Sequence, residues 1–430
     1  MCIIAFWTTE ICHHVSIGRQ MVGPRMNQAS LLRRFAPSRF TWIVGLGSTL
    51  GFASQTAGFW IVGAFVNSGR MDIQQASLLS SAELVTIGLV TLGLAPVINR
   101  VPPKRAILLA LALALLTQAL SAVLPGFLPV LLARIGSGLA FGMIYAVATA
   151  LGALAANPQK AYAAAGTISL AIGTVWNTGV GYATEHHGYA GVFFALSVYC
   201  LVVGMPMAFM SFAPEAPPGV QKPRTAGDAQ SQPLPWPLIS GVMLIMALFA
   251  VTTNGMYIFI EQVAERVGVS GTHLGYGLTV SSLVSALGVA GLGRLGRLLR
   301  WLLPRKVAFI SGHAIPLGVA MLAIGATSWA FMVSPTATQM YISLTLWLII
   351  YWAAYSYVLE LAVLADPHGR VASAAGSILI LLGGAGSAFA GAVAKHFGMQ
   401  SFGLVAMVGC AVAAGVGVAV CRKVAPSRDS

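Results

Sequence analysis

The chain has 430 residues, of which 57 % (about 245) are hydrophobic and only 8 % charged, with a mean hydropathy of +0.83 and a net charge of +13. A soluble domain carries roughly 25 % charged residues, and no water-soluble fold of this size hides so much apolar side chain. This excludes a disordered chain, a nucleic-acid-binding protein and a secreted disulfide scaffold, and it leaves a polytopic membrane protein whose basic excess is read as topology.

A helix needs about 20 apolar residues to cross a bilayer, so this apolar content suffices for roughly twelve crossings. Continuous apolar runs such as Ala106–Leu120 and Tyr341–Leu364 point to helices, because outer-membrane barrel strands alternate apolar and polar residues. Residues 1–40 do not form a signal peptide: the apolar stretch Cys2–Trp7 is too short, and Arg19, Arg25, Arg33, Arg34 and Arg39 follow it. They read as a cytoplasmic tail. Apolar runs punctuated by Gly, Pro and charge then place spans one to six at 41–66, 76–98, 105–124, 128–154, 162–183 and 190–212. Residues 213–236, rich in Pro and charge, read as a cytoplasmic linker. Spans seven to twelve follow at 237–260, 274–296, 305–328, 338–364, 371–394 and 401–421, with 422–430 as a short tail. The chain thus divides into bundles at 41–212 and 237–421. With the N-terminus inside, 20 of the 24 Lys and Arg residues fall on the cytoplasmic side, a strong positive-inside signal that puts both termini in the cytoplasm. The absence of any N-x-S/T sequon leans towards a bacterial inner membrane. The five cysteines form no CxxC pair and imply neither a disulfide framework nor a zinc site.

The halves repeat. Gly166, Gly173, Gly181, His186, Gly188 and Cys200 recur 210 positions later as Gly376, Gly383, Gly391, His396, Gly398 and Cys410. Parallel six-helix repeats place a translocation site near mid-membrane, between the halves. The stretch Ala95–Arg105 carries Arg100 and a trailing Lys104-Arg105, and span four carries Arg134-x-x-x-Gly138-x-x-x-Gly142. On these features the chain resembles the major facilitator superfamily over about residues 41–421. Arg100 with the basic pair matches part of that family's loop motif after span two, although Asn99 replaces its Asp. Arg134 and Gly138 match the R-x-x-x-G signature of its proton-coupled carriers. Span five lacks the family's antiporter G-P. The resemblance implies an all-α membrane protein of twelve transmembrane helices in two six-helix pseudo-symmetric halves.

A buried charge in a membrane asks for a reason. Glu83 in span two and Arg134 in span four lie at matching depths. They read as an ion pair that a proton on Glu83 would weaken, or as a static tie between helices. Glu360 in span ten reads either as a second proton or substrate carboxylate, or as an interfacial group that closes an inner gate with Arg370. Glu261 and Glu265 lie beyond span seven and read as solvated. In the family, spans one, four, seven and ten line the cavity. Trp347, Tyr351 and Tyr355 share one face of span ten, and Gln55, Tyr145, Asn254 and Tyr257 join them as candidate ligands for a flat organic solute. The alternative for these aromatics is helix packing and interfacial anchoring. Trp60 and Trp301 read as such anchors, Gly255 as a bend in span seven, and Trp176-Asn177 as a cavity edge. Gly173, Gly181, Gly383 and Gly391 read as close-approach positions across which the halves rock.

These features together describe a secondary transporter, not an enzyme. It would move a small organic solute by alternating access, coupled to protons, with export ahead of uptake. A proton-coupled uptake symporter or facilitator and a non-transporting sensor of the same fold are the alternatives. No GxxxxGK[ST] occurs, so direct ATP drive is not expected. No cofactor, metal or nucleic-acid partner is expected. The partners are the solute, protons and the bilayer, and the expected state is a monomer.

Overall fold

The computed structural model describes residues 39–94, 102–153, 158–210, 236–302, 305–365 and 370–424. The expected tails, the linker and the loop carrying Arg100 lie outside them. The described residues form helices and no strands. Span one runs as Arg39–Gly51 and Ala53–Asn67, offset at Phe52. Spans two to four are Ile73–Leu94, Pro103–Val123 and Phe127–Ala153. Spans five and six form one continuous run, Pro158–Phe209, which Gly188 breaks with φ 56° and ψ −141°. Span seven is Trp236–Tyr257, followed by a short helix, Ile260–Arg266. Spans eight to twelve are Gly271–Leu302, Arg305–Met332, Ala337–Ala365, Arg370–Phe397 and Met399–Val424.

Among the described residues ten helices are long and apolar enough to cross a membrane, and one of them, Ala171–Phe209, makes two passes. Gly271–Leu302 adds the twelfth. Its first half is rich in Gly, Thr, His and Ser, which lowers its hydropathy. The molecule turns its apolar side chains outward, as a bilayer requires: Leu109, Val123, Leu128 and Leu132 are all more than 60 % exposed.

Five glycines have a left-handed backbone: Gly69, Gly126, Gly188, Gly268 and Gly398. All five sit in the turns at one end of the bundle, here called the distal end. The opposite end, towards residues 211–235, is the linker end. A side chain in the left-handed region is strained, so these tight reversals select glycine. The repeat pair Gly188 and Gly398 therefore performs one geometric task twice.

The halves meet along two seams. Span two packs on span eleven, and span five packs on span eight. At the distal end of the first seam Lys395 donates to Asp72 at 3.0 Å. At the second, the Thr272 N–H donates to Glu185 at 2.9 Å. Further in, the Thr178 and Thr279 hydroxyls meet at 3.0 Å, and Thr279 donates to the Thr174 carbonyl at 2.8 Å. Glycine is required where the backbones touch. A Cβ on Gly391 would lie 2.6 Å from the Ser77 hydroxyl, and one on Gly384 would lie 3.0 Å from the Ser81 carbonyl. A Cβ on Gly181 would collide with the Gly271 carbonyl. These contacts hold both seams together at the distal end. Nearer the linker end, a Cβ on Gly93, Gly173 or Gly376 would meet nothing within 4 Å.

Candidate functional site

The first element of the site is a charge pair inside the first half. Arg134 Nη1 lies 3.2 Å from Glu83 Oε2 and 3.3 Å from Oε1, with side-chain exposures of 0 % and 1 %. Helix packing explains how span two comes so close. Gly138 and Gly142 follow Arg134 at four-residue spacing and leave a bare stripe on span four. A Cβ on Gly138 would come within 2.6 Å of the Glu83 carbonyl, and one on Gly142 within 3.1 Å of Ile87 Cα. The R-x-x-x-G-x-x-x-G pattern is therefore the track on which span two rides.

Arg134 is also held from span three. Nη2 donates to Gln118 Oε1 at 2.8 Å and to Ser121 Oγ at 2.9 Å, and Nε donates to Ser121 Oγ at 3.1 Å. Gln118 in turn donates to Ser137 at 3.0 Å. The guanidinium lies 5.2 Å from the Phe193 ring centroid, and the Tyr189 hydroxyl donates to the Ser121 carbonyl. The sequence reading missed Gln118, Ser121, Ser137, Tyr189 and Phe193. Thr117, Gln118 and Ser121 were the available signal: they form a polar patch on one face of an otherwise apolar helix.

The second element is a column of rings in the second half. Tyr257 and Trp347 stack at 6.2 Å between centroids, Trp347 and Tyr351 at 5.2 Å, and Tyr351 and Tyr355 at 6.5 Å. Phe249 of span seven stacks on Tyr351 at 5.0 Å. Trp347 is the anchored member. It is 2 % exposed, and its indole N–H donates to Ser328 of span nine at 3.0 Å. Tyr351 and Tyr355 are half-buried.

Between these elements the halves touch through spans one and seven. Gln55 donates to Asn254 at 3.0 Å, and the Tyr257 hydroxyl donates to the Thr56 carbonyl at 3.5 Å. Tyr145 of span four meets Phe52 edge-to-face at 5.0 Å. Gly383 lies against the Asn254 amide, which would be 2.7 Å from its Cβ, so this glycine serves packing inside its own half. Gly173, its repeat partner, stands open. Glu360 is half-buried near the linker end of span ten. Arg370 begins span eleven, and its side chain lies outside the described residues, as does that of Trp301.

Four expectations need correction. Glu261 is not solvated. It is 7 % exposed, because the short helix Ile260–Arg266 folds back onto span one, whereas Glu265, one turn on, is exposed. Trp60 is not a membrane-interface anchor: it is fully buried and packs on Phe59. Gly255 does not bend span seven. The helix runs through it and breaks after Tyr257, while a Cβ on Gly255 would meet the Phe402 ring at 2.8 Å. Trp176 is buried against Tyr199, 4.4 Å between centroids, so it faces its own bundle.

A twelve-span bundle in two repeated halves that meet along two seams has the architecture of an alternating-access carrier. The sequence pattern of the Major Facilitator Superfamily matches residues 40–376. The chain belongs to that superfamily and is a transporter, not an enzyme. Two examples illustrate the solved structures that share its fold. One is a bacterial homologue of the human lysosomal transporter Spinster in an inward-facing and occupied conformation. It has a TM-score of 0.67 at 17 % identity, over 94 % of this chain and 100 % of that one. The other is a D-xylose–proton symporter, with a TM-score of 0.60 at 14 % identity over 87 % and 95 % of the two chains. No curated protein matches the sequence.

Proposed function

We propose that this transporter moves a small organic solute by alternating access and couples that movement to protons through Glu83 and Arg134. The observation that carries the reading is the buried pair and its place in the helix network. One face of span two presents Glu83 to Arg134. The opposite face, with Ser81, Val85 and Gly88, lies on span eleven of the other half. A proton on Glu83 removes its charge, while Gln118 and Ser121 still hold Arg134. Span two is then released from span four but remains on the seam. Protonation is thereby linked to the relative position of the halves, which is the coupling a carrier needs.

The solute site in this reading is the space beside Tyr351 and Tyr355, with Gln55, Asn254, Tyr257 and Tyr145 near it. Stacked rings with hydroxyl and amide edges suit a flat apolar solute bearing a few hydrogen-bonding groups. Lys and Arg are concentrated on the linker side, 20 of the 24, and this supports a cytoplasmic linker end in a bacterial inner membrane. The distal seam contacts then close the outer face, and the unfilled positions at Gly93, Gly173 and Gly376 lie towards the cytoplasm, which supports loading from inside and export. Gly173 and Gly376 would close on their partners in the alternate state, with Arg100, Arg370 and Glu360 at the same end as candidate gate residues.

Proteoliposomes loaded with a pH-sensitive dye and screened against a panel of flat organic solutes test the proposal. Wild type is expected to give solute-dependent proton flux. Glu83→Gln is expected to abolish flux and gradient-driven accumulation while sparing solute exchange. Unaltered proton flux in Glu83→Gln would overturn it.

A further inference from the structure

A second buried carboxyl lies outside the pair, at the distal end. The helix Ile260–Arg266 follows the break after Tyr257 and carries Glu261 against span one. Glu261 Oε1 faces the Asn67 amide at 3.4 Å, a weak contact. Oε2 has no hydrogen-bond partner and is buried. The carboxylate presses on Gly63, whose Cβ would lie 2.8 Å from Glu261 Cγ. Glycine there is what lets the acid enter.

Among the described residues no cation pairs with Glu261. Arg266, on the same short helix, turns away and donates to the Met332 and Ser334 carbonyls at 2.7 and 3.2 Å. Span one brings no titratable side chain, only Asn67. Span eight brings His273, paired with Ser270 at 2.9 Å, and span ten brings Tyr341, whose hydroxyl donates to the His273 carbonyl at 2.9 Å. A cavity of about 380 Å³ between the halves is lined by Glu261, Glu265, Glu185, Tyr189 and Asn67. Arg70 lies over the Tyr189 ring at 4.4 Å. Glu185 already accepts from the Thr272 N–H. Glu265 and Glu185, which line the same cavity, add like charge rather than a counter-charge.

We propose that Glu261 is a proton-binding site of the distal gate, occupied when spans one and seven are closed and emptied when they part, so that distal acidity shuts the gate. A carboxylate without a cation costs several kcal/mol in a protein interior, so closure selects the acid form. Parting the helices hydrates the group and lets it ionise. On the linker side Phe59, Trp60 and Tyr257 fill the space, with Phe59 5.0 Å from Trp60 and 5.2 Å from Tyr257. The proton therefore enters and leaves at the distal face. Glu261 sets the position of the gate and adds nothing to the protons carried across. The inference rests on the alternating-access reading above.

The test is a distance measurement. Spin labels at Pro125→Cys and Gln400→Cys, on distal turns of opposite halves, report closure in lipid nanodiscs after the native cysteines are replaced. The titration runs from about pH 8 to about pH 4, a window that brackets a buried carboxyl. In wild type the closed-to-open ratio is expected to rise as pH falls, by up to about tenfold per pH unit for one proton. The titration is repeated in a Glu83→Gln background, which removes the other proton-linked carboxyl, and the rise towards closed as pH falls is expected to persist there. Glu261→Gln added to that background is expected to stay closed at every pH, and Glu261→Met repeats the result if the amide folds poorly. Gly63→Ala, whose methyl displaces the carboxyl, is expected to shift the ratio towards open. A Glu261→Gln curve that still rises in that background overturns the proposal, as does loss of the curve in Glu83→Gln alone. A single distance in wild type at every pH overturns alternating access together with it.

Discussion

The Glu83–Arg134 pair makes a quantitative prediction about non-additivity. In Glu83→Leu the guanidinium stays buried with only neutral partners, Gln118 and Ser121. Breaking one side of a buried pair costs about 3–5 kcal/mol, because the remaining charge is uncompensated. In Arg134→Met the lone carboxyl takes up a proton rather than stay charged, so the cost falls to about 1–3 kcal/mol, the range for an imperfectly satisfied polar group. The double variant has no stranded charge. It loses the bonds to Gln118 and Ser121, about 1–3 kcal/mol in all, and gains an apolar contact in exchange. The single costs thus sum to about 6 kcal/mol against at most about 2 for the double, so the coupling is about 4 kcal/mol. Reversible unfolding in mixed micelles, followed by tryptophan fluorescence, measures all four corners of the cycle. Additivity within about 0.5 kcal/mol would show that the two groups do not sense one another's charge, and the coupling mechanism would fall with it.

Two further predictions concern the seams. Gly181→Leu and Gly391→Leu place a side chain where the Gly271 carbonyl and Ser77 now sit, so each is expected to insert and fold but to block distal closure, abolishing transport and lengthening the Pro125–Gln400 label distance; normal transport in both refutes the packing argument. The Asp72–Lys395 tie responds to pH in the opposite sense to Glu261. The Gln75 N–H at 2.8 Å, with Lys395, holds the Asp72 carboxyl below its usual value of 3.8, so its stabilisation is present above that value and lost as pH falls through the lowered one. Both side chains are about half exposed, so Lys395→Met is expected to reduce distal closure by less than about 0.5 kcal/mol, only above about pH 4, and to lose its effect in high salt.

Much of the fold was legible in the sequence because a bilayer simplifies the reading. Every span must be apolar and long, and tight reversals select glycine, so Gly188 and Gly398 marked both the repeat and the turns. Counting depth along spans two and four was enough to pair Glu83 with Arg134, since both are rigid helices entering from one side. The failures share a different cause. Glu261 follows a span and carries a charge, so it reads as surface, and only the fold-back of Ile260–Arg266 onto Gly63 buries it. Trp60 was misread because an aromatic in an apolar helix has no sequence mark separating a lipid-facing side from a protein-facing one. The polar face of span three was visible, but its meaning depended on Arg134 reaching across to it. Each failure is a contact between elements far apart in the chain.

The repeat also shows why the carboxyl proposed to couple transport to protons, Glu83, lies in the first half. Glu83 is the eleventh residue of its helix and Ser281 the eleventh of span eight; Arg134 is the eighth of its helix, and Leu344, followed by Thr345, holds that place in span ten. The second half therefore crosses the same two helices with Thr345 donating to Ser281 at 2.8 Å, a neutral bond where the first half has a charged one. Ser281 and Thr345 stay neutral across the physiological range, so this crossing cannot respond to a proton. That half instead carries the column Tyr257, Trp347, Tyr351 and Tyr355, whose rings and hydroxyls suit recognition. The two seams are near-equivalent: span two on span eleven carries the position of the first half, and span five on span eight carries it back. A proton bound in one half and a solute bound beside the other then act on the same rigid-body equilibrium without touching, and each biases it by the difference in its affinity for the two states.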